Sequence, residues 1–175
     1  MDGAAIDALE VEELEPEAAR RDLSGAHALI MAAAVADHRP AQIAPSKIKK
    51  GDAGASIELV KNPDLLGEVG AARQGLSGQE GRGATRAGAA SAPAPRPVLV
   101  GFAVETSGGE ALVAYARRKL ADKRVDLVVG NEAADSFGRE DNRVTLVTGA
   151  EAETLPPASK SSLAKVILDR VRALL

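Results

Sequence analysis

The chain has no cysteine and no tryptophan, and only one tyrosine and two phenylalanines. Without cysteine there is no disulfide framework, thiol nucleophile or zinc–thiolate cage, and two histidines are too few for a histidine-rich metal site. Aromatics make up 2% of the residues against 45% apolar, so the core must be built from Val, Leu, Ile and Ala, which suits helices packed on a buried sheet. A formal net charge of −3 lacks the basic excess of a nucleic-acid binder. No nucleic-acid partner is therefore expected, and any basic site is local. No apolar run approaches the length of a membrane span, and the start MDGAAIDALEVEELEPE lacks the basic and apolar regions of a signal peptide. The expectation is a soluble, cytoplasmic chain with no membrane partner. GxGxxG, GxxxxGK[ST] and GxSxG are also missing, so nothing argues for a dinucleotide-dependent oxidoreductase, a P-loop enzyme or an α/β-hydrolase.

What is present is a run of elements that alternates strand and helix. A length of 175 residues fits one domain, 1–175. A short strand is expected at 8–11 and a helix at 16–23. Residues 27–35 (HALIMAAAV) form a small or apolar run of the length of a strand covered on both faces. Arg39-Pro40 should force the chain out of regular structure, because proline fixes φ and lacks an amide proton. SIELVK at 56–61 alternates as a half-exposed strand and could form a hairpin with 47–50 across GDAGA. Asn62-Pro63-Asp64 reads as a capping residue, a first-turn proline and a first-turn acid opening a helix. Residues 75–96 have no apolar set to repay ordering and read as a disordered insertion. PVLVGFA (97–103), a helix over 110–123 and a strand at 125–129 give a right-handed strand–helix–strand crossover. A terminal hairpin (144–147 with 152–155) and a helix over 160–174 complete an α/β fold.

The stretch 27–50 changes abruptly from apolar run to acid to basic cluster, and candidate chemistry gathers there. Asp37 follows the alanine-rich strand, where a parallel strand would deliver a carboxylate to the carboxyl edge of the sheet, the edge at which ligands bind. Lys47, Lys49 and Lys50 cluster soon after, and grouped ammonium ions suit a polyphosphate. A carboxylate beside lysines can hold a hydrated Mg²⁺ on a phosphate chain. The bland alternatives are a turn-forming acid and a solvated strand edge kept soluble by lysine. Pro63 to Leu66 lies at a helix amino end, which attracts phosphate but is more often simply capped. Phe102 either stacks on a base or fills the core, with composition favouring the core. Lys119 and Lys123 lie four apart near a helix carboxyl end, where the dipole alone explains them.

In order along the chain, AAAVADHRP, KIKK, LVKNPDLL, VGFAVET, YARRKLADK, DLVVGNE and DNRVTL resemble the bacterial phosphopantothenoylcysteine synthetase family of coenzyme A biosynthesis. The resemblance implies a Rossmann-like three-layer sandwich with a mostly parallel sheet and peripheral β-hairpins. It implies a ligase that joins 4′-phosphopantothenate to cysteine with CTP and Mg²⁺ through an acyl-cytidylate. Carried over by motif, Met31, Ala32, Ala33 and Asp37 would line the CTP site, Asp37 with Mg²⁺. Lys47 would be the mobile catalytic lysine. Pro63, Asp64, Leu65, Leu66 and Phe102 would surround the nucleotide, with Lys119 and Lys123 on its polar groups. A homodimer and an upstream decarboxylase domain are implied as partners. The family's glycine-rich first strand–loop–helix is not found after Met1, so the sequence is read as N-terminally truncated and this chain alone as nearly inactive. The competing reading is a non-catalytic nucleotide-binding module derived from the same family.

Overall fold

The computed structural model describes residues 26–43, 46, 56–78, 96–136 and 139–175. The expected strand at 8–11, the helix at 16–23, the lysines of 47–50 and residues 79–95 of the expected insertion lie outside these. The described residues form two compact units, one of those in 26–32 and 65–175, the other of those in 33–64. Among the described residues no helix is long and apolar enough to cross a membrane.

The first unit is built on a five-stranded sheet. In chain order its strands are β1 (Ala28–Met31), β4 (Val98–Glu105), β5 (Leu127–Glu132), β7 (Val144–Val147) and β8 (Ala152–Thr154), and they lie side by side in that order. The β1–β4 and β4–β5 pairings are parallel, and β5–β7 and β7–β8 are antiparallel. The sheet is thus mixed, because the tight turn after β7 can only return antiparallel, whereas the β4–β5 connection carries a helix.

Both faces of the central strands are apolar, as Val- and Leu-rich runs require. Leu99, Ala103, Val128 and Val147 face α1 (Leu65–Gly78) and α2 (Gly109–Lys123), meeting Leu66, Val69 and Ala116. Val98, Val100, Leu127, Val129, Val144 and Leu146 face α4 (Lys160–Leu174), meeting Leu163, Ile167 and Val171 at one-turn spacing. Helices therefore cover both faces, and the three-layer α/β arrangement holds. Each fully buried Leu or Val contributes roughly 1.5–3 kcal/mol, so the residues with no exposure, Leu99, Val100, Leu127, Val128, Val129, Leu146 and Val147, dominate this core. With both faces apolar, polarity does not fix the strand register. Shape does: a Cβ on Gly101 would meet Leu66 Cδ2 at 2.8 Å, and one on Gly130 would meet Leu112 Cδ1 at 3.2 Å.

The helix over 160–174 and the antiparallel terminal strands stand as the sequence implies. A short helix α3 (Ala133–Ser136) follows β5, and β6 (Asp141–Asn142) pairs with β9 (Ala158–Ser159). Residues 75–78 of the expected insertion continue α1.

The second unit holds β2 (His38–Pro40) paired antiparallel with β3 (Leu59–Lys61). Two expectations are corrected here, on Pro40 and on the strand of 27–35. Pro40 does not break the chain out of regular structure; it ends β2 opposite Leu59, which a two-stranded ribbon tolerates because each strand has an outer edge. β3 pairs with 38–40; its expected hairpin with 47–50 lies outside the described residues. The strand of 27–35 stops at Met31, and residues 32–35 are exposed rather than covered on both faces.

Candidate functional site

The ladder between β1 and β4 ends with Met31 opposite Gly101. Even-numbered residues of β4 bond toward β1, as Val98 N does to His27 O at 2.9 Å, and odd-numbered ones toward β5, as Leu99 O does in accepting from Asp126 N at 2.9 Å. The carbonyl of Phe102 therefore faces the side that β1 has left. Lys119, reaching from α2, donates from Nζ to that oxygen at 2.6 Å. Leu66, in the first turn of α1, occupies the space opened by the missing side chain of Gly101. Met31, Leu66, Phe102 and Lys119 thus meet around one peptide at the carboxyl end of β1, on the edge where parallel α/β sheets bind ligands.

Phe102 participates through its backbone. Its half-buried ring packs with the α4-facing cluster, so the core reading of the ring holds. Lys123 lies one turn beyond Lys119, and its carbonyl faces Gly70 of α1. Ala32 is exposed just past β1, and Leu65 is half-buried at the start of α1.

Two features of this edge were not singled out in the sequence. Glu105 and Glu132 are register partners at the ends of β4 and β5. Gly108, the N-cap of α2, offers no side chain, and a Cβ there would fall 1.9 Å from Glu132 Oε1. The Glu132 carboxylate thus lies against the amino end of α2, a favourable place for negative charge. The Gly-Gly pair after a strand was the available signal, but only the fold shows which acid fills it.

In the second unit, Ala33, Asp37, Pro63 and Asp64 are exposed. Asp37 does not sit at the end of the strand; five residues separate it from Met31, and it precedes β2. Asn62 is not a helix cap, since α1 begins at Leu65. Its side chain donates from Nδ2 to Ala36 O at 2.6 Å and accepts from Arg39 at 2.9 Å, while its amide donates to Asp37 O at 2.8 Å. Among the described residues no group pairs with the Asp37 carboxylate. Lys47, Lys49 and Lys50 lie outside the described residues, and so does their expected meeting with Asp37.

Among the described residues no group of three or more His, Cys, Asp or Glu could cage a metal ion. A single free carboxylate suits Mg²⁺ that takes its other ligands from phosphate and water. Asp37 fits that need. The carboxyl of Asp141 is held below the ordinary range by its hydrogen bonds to Arg139, and this exposed pair belongs to the β6–β9 ribbon.

The family model for the DNA/pantothenate metabolism flavoprotein C-terminal domain matches residues 5–78 and 86–175. The chain belongs to this family. Coenzyme A biosynthesis bifunctional protein CoaBC of Vibrio vulnificus is 36% identical over 83% of this chain and 32% of its own length. The protein of that name from Mycolicibacterium smegmatis is 38% identical over 91% of this chain and 36% of its own. The chain thus spans about a third of the length of the curated relatives it matches. A crystal structure of the C-terminal domain of CoaBC superposes with a TM-score of 0.58 at 25% identity, covering 91% of this chain and 60% of that one. The DNA/pantothenate metabolism flavoprotein of Streptococcus pneumoniae has a TM-score of 0.66 at 19% identity over 96% and 72% of the two chains, and shows the shared fold.

Proposed function

We propose that the chain is the nucleotide-binding part of a ligase that joins 4′-phosphopantothenate to cysteine at the expense of CTP, in coenzyme A biosynthesis. Membership of the family, with relatives named for coenzyme A biosynthesis, supports the pathway. The observation that carries the site is the meeting of Met31, Leu66, Phe102 and Lys119 at one end of the parallel ladder.

In the reaction, the substrate carboxylate attacks the α-phosphorus of CTP and pyrophosphate leaves. The amine of cysteine then attacks the acyl carbon and CMP leaves. Met31, Ala32, Ala33 and Leu65 supply apolar wall and backbone for the nucleotide. The amino end of α1, which starts at Leu65 and Leu66 just after Pro63 and Asp64, favours phosphate through the helix dipole. Lys119 and Lys123 add positive charge, and Lys47 is assigned to steady the acyl-cytidylate. Asp37 would hold Mg²⁺, which when bound offsets charge developing on the phosphates. The reading includes a homodimer through the second unit, whose Ile43, Ile57 and Leu59 are exposed, and an upstream decarboxylase domain as a partner.

Calorimetric titration of the chain with CTP and with ATP, each with Mg²⁺, tests the reading, together with pyrophosphate release in the presence of 4′-phosphopantothenate and cysteine. Preferential CTP binding with pyrophosphate release supports the ligase. CTP binding without turnover assigns the chain the binding role alone, and absence of nucleotide binding overturns both.

A further inference from the structure

We infer that Asn62 is the positioning residue of Asp37, acting together with Arg39. The inference rests on the proposed role of Asp37 toward Mg²⁺ and adds the residue that holds it.

An exposed acid six residues past the end of a strand has no reason of its own to keep one orientation. Flexible loops lose several-fold in affinity when they must order around a ligand. Here the chain on either side of the Asp37 Cα is tied down by one residue. The Asn62 side chain takes the carbonyl of Ala36 at 2.6 Å, and the Asn62 amide takes the carbonyl of Asp37 itself at 2.8 Å. Two successive peptides are thus fixed, which leaves Asp37 only the torsions of its side chain. Arg39 locks the device from the other side, donating to Asn62 Oδ1 at 2.9 Å and to Lys61 O at 3.3 Å. The β2–β3 pairing of His38 with Lys61 continues the same clamp.

All these bonds go to the backbone or to Asn62, and none goes to the Asp37 carboxylate. The backbone is held and, among the described residues, nothing holds the charged group, which is the arrangement a preorganised ligand needs. It also explains why asparagine stands before Pro63 when it caps no helix: it must donate and accept through its side chain at once, which neither Asp nor Ala can do.

The test uses the full chain, its Asn62→Ala, Asp37→Asn and Asn62→Ala/Asp37→Asn variants, and Arg39→Ala as a milder disruption should Asn62→Ala unfold the ribbon. Two measurements are made. Amide hydrogen exchange at position 62, which reports the bond to Asp37 O, is expected to speed up about tenfold or more in Asn62→Ala while Leu99 in the core is unchanged. The factor by which Mg²⁺ tightens CTP binding is expected to fall about tenfold in Asn62→Ala, to vanish in Asp37→Asn, and to fall no further in the double variant. CTP binding without Mg²⁺ should be unchanged in Asn62→Ala and Arg39→Ala, neither of which is placed at the nucleotide. Unchanged exchange at position 62 overturns the inference. So does faster exchange with an unaltered Mg²⁺ factor, or additive losses in the double variant. If the unmodified chain shows no Mg²⁺-dependent tightening, the proposed function falls, and the exchange comparison, which needs no nucleotide, decides the clamp by itself.

Discussion

Arg73, buried near the carboxyl end of α1, forms an ion pair with Asp126 in the turn before β5. The same guanidinium donates to Pro97 O at 3.0 Å and to Arg124 O, while Asp126 Oδ2 accepts from the amide of Leu99 at 2.8 Å. One side chain thus ties α1 to the start of β4 and to the α2–β5 turn, at the end of the sheet opposite the Leu66–Phe102 meeting point. Breaking a buried pair from one side leaves a charge without compensation. Asp126→Ala is expected to destabilise the chain by about 3 kcal/mol. Asp126→Asn should cost less, because its oxygen can still accept from Leu99. Urea unfolding of the two variants measures both, with an unchanged slope confirming that stability alone has moved.

Two glycines are needed for different reasons. A Cβ on Gly70 would lie 1.9 Å from the carbonyl oxygen of Lys123, where α1 and α2 touch backbone to backbone. Gly109, at the start of α2, has φ +60 with nothing within 4 Å of its missing side chain. Gly70→Ala is expected to cost about 1–3 kcal/mol by forcing the helices apart, and Gly109→Ala about 1–2 kcal/mol from backbone strain alone. Only Gly70→Ala should speed amide exchange in the facing turns of both helices.

Ser159 ends β9 and caps α4, its Oγ accepting from Ser162 N at 3.2 Å. Ser159→Ala is expected to cost about 1 kcal/mol, and Ser159→Asp to restore most of it, as read by thermal unfolding.

Lys119 is the cation that the fold brings to the Phe102 carbonyl. Lys119→Met keeps the apolar stem and removes the charge. The expected result is a loss of about 1–2 kcal/mol of stability, the usual worth of a charged hydrogen bond that is partly buried, and a fall of about tenfold in CTP affinity, the equivalent of 1.4 kcal/mol. Unfolding and calorimetry on the same preparation measure the two effects.

Periodicity and apolar content by themselves determined the α/β class, the central strands, the α2 and α4 helices and the antiparallel terminal strands. Those segments are long, and their apolar residues repeat at the spacing that burial demands. Motif order also identified the family, and the resemblance proposed for a nucleotide site four residues that the fold brings close together, Met31, Leu66, Phe102 and Lys119. What the sequence could not show is which partner each polar or small residue finds far along the chain. Pro40 looked like a breaker and sits in a ribbon edge, because its partner strand lies some twenty residues on. Asn62 looked like a helix cap and instead clamps Ala36 and Asp37. Phe102 offered a ring, and the fold uses its carbonyl, since only tertiary structure decides where β1 stops and which lysine reaches the edge it leaves open. Local pattern reports burial; hydrogen-bond partners distant in sequence are settled only when the layers pack.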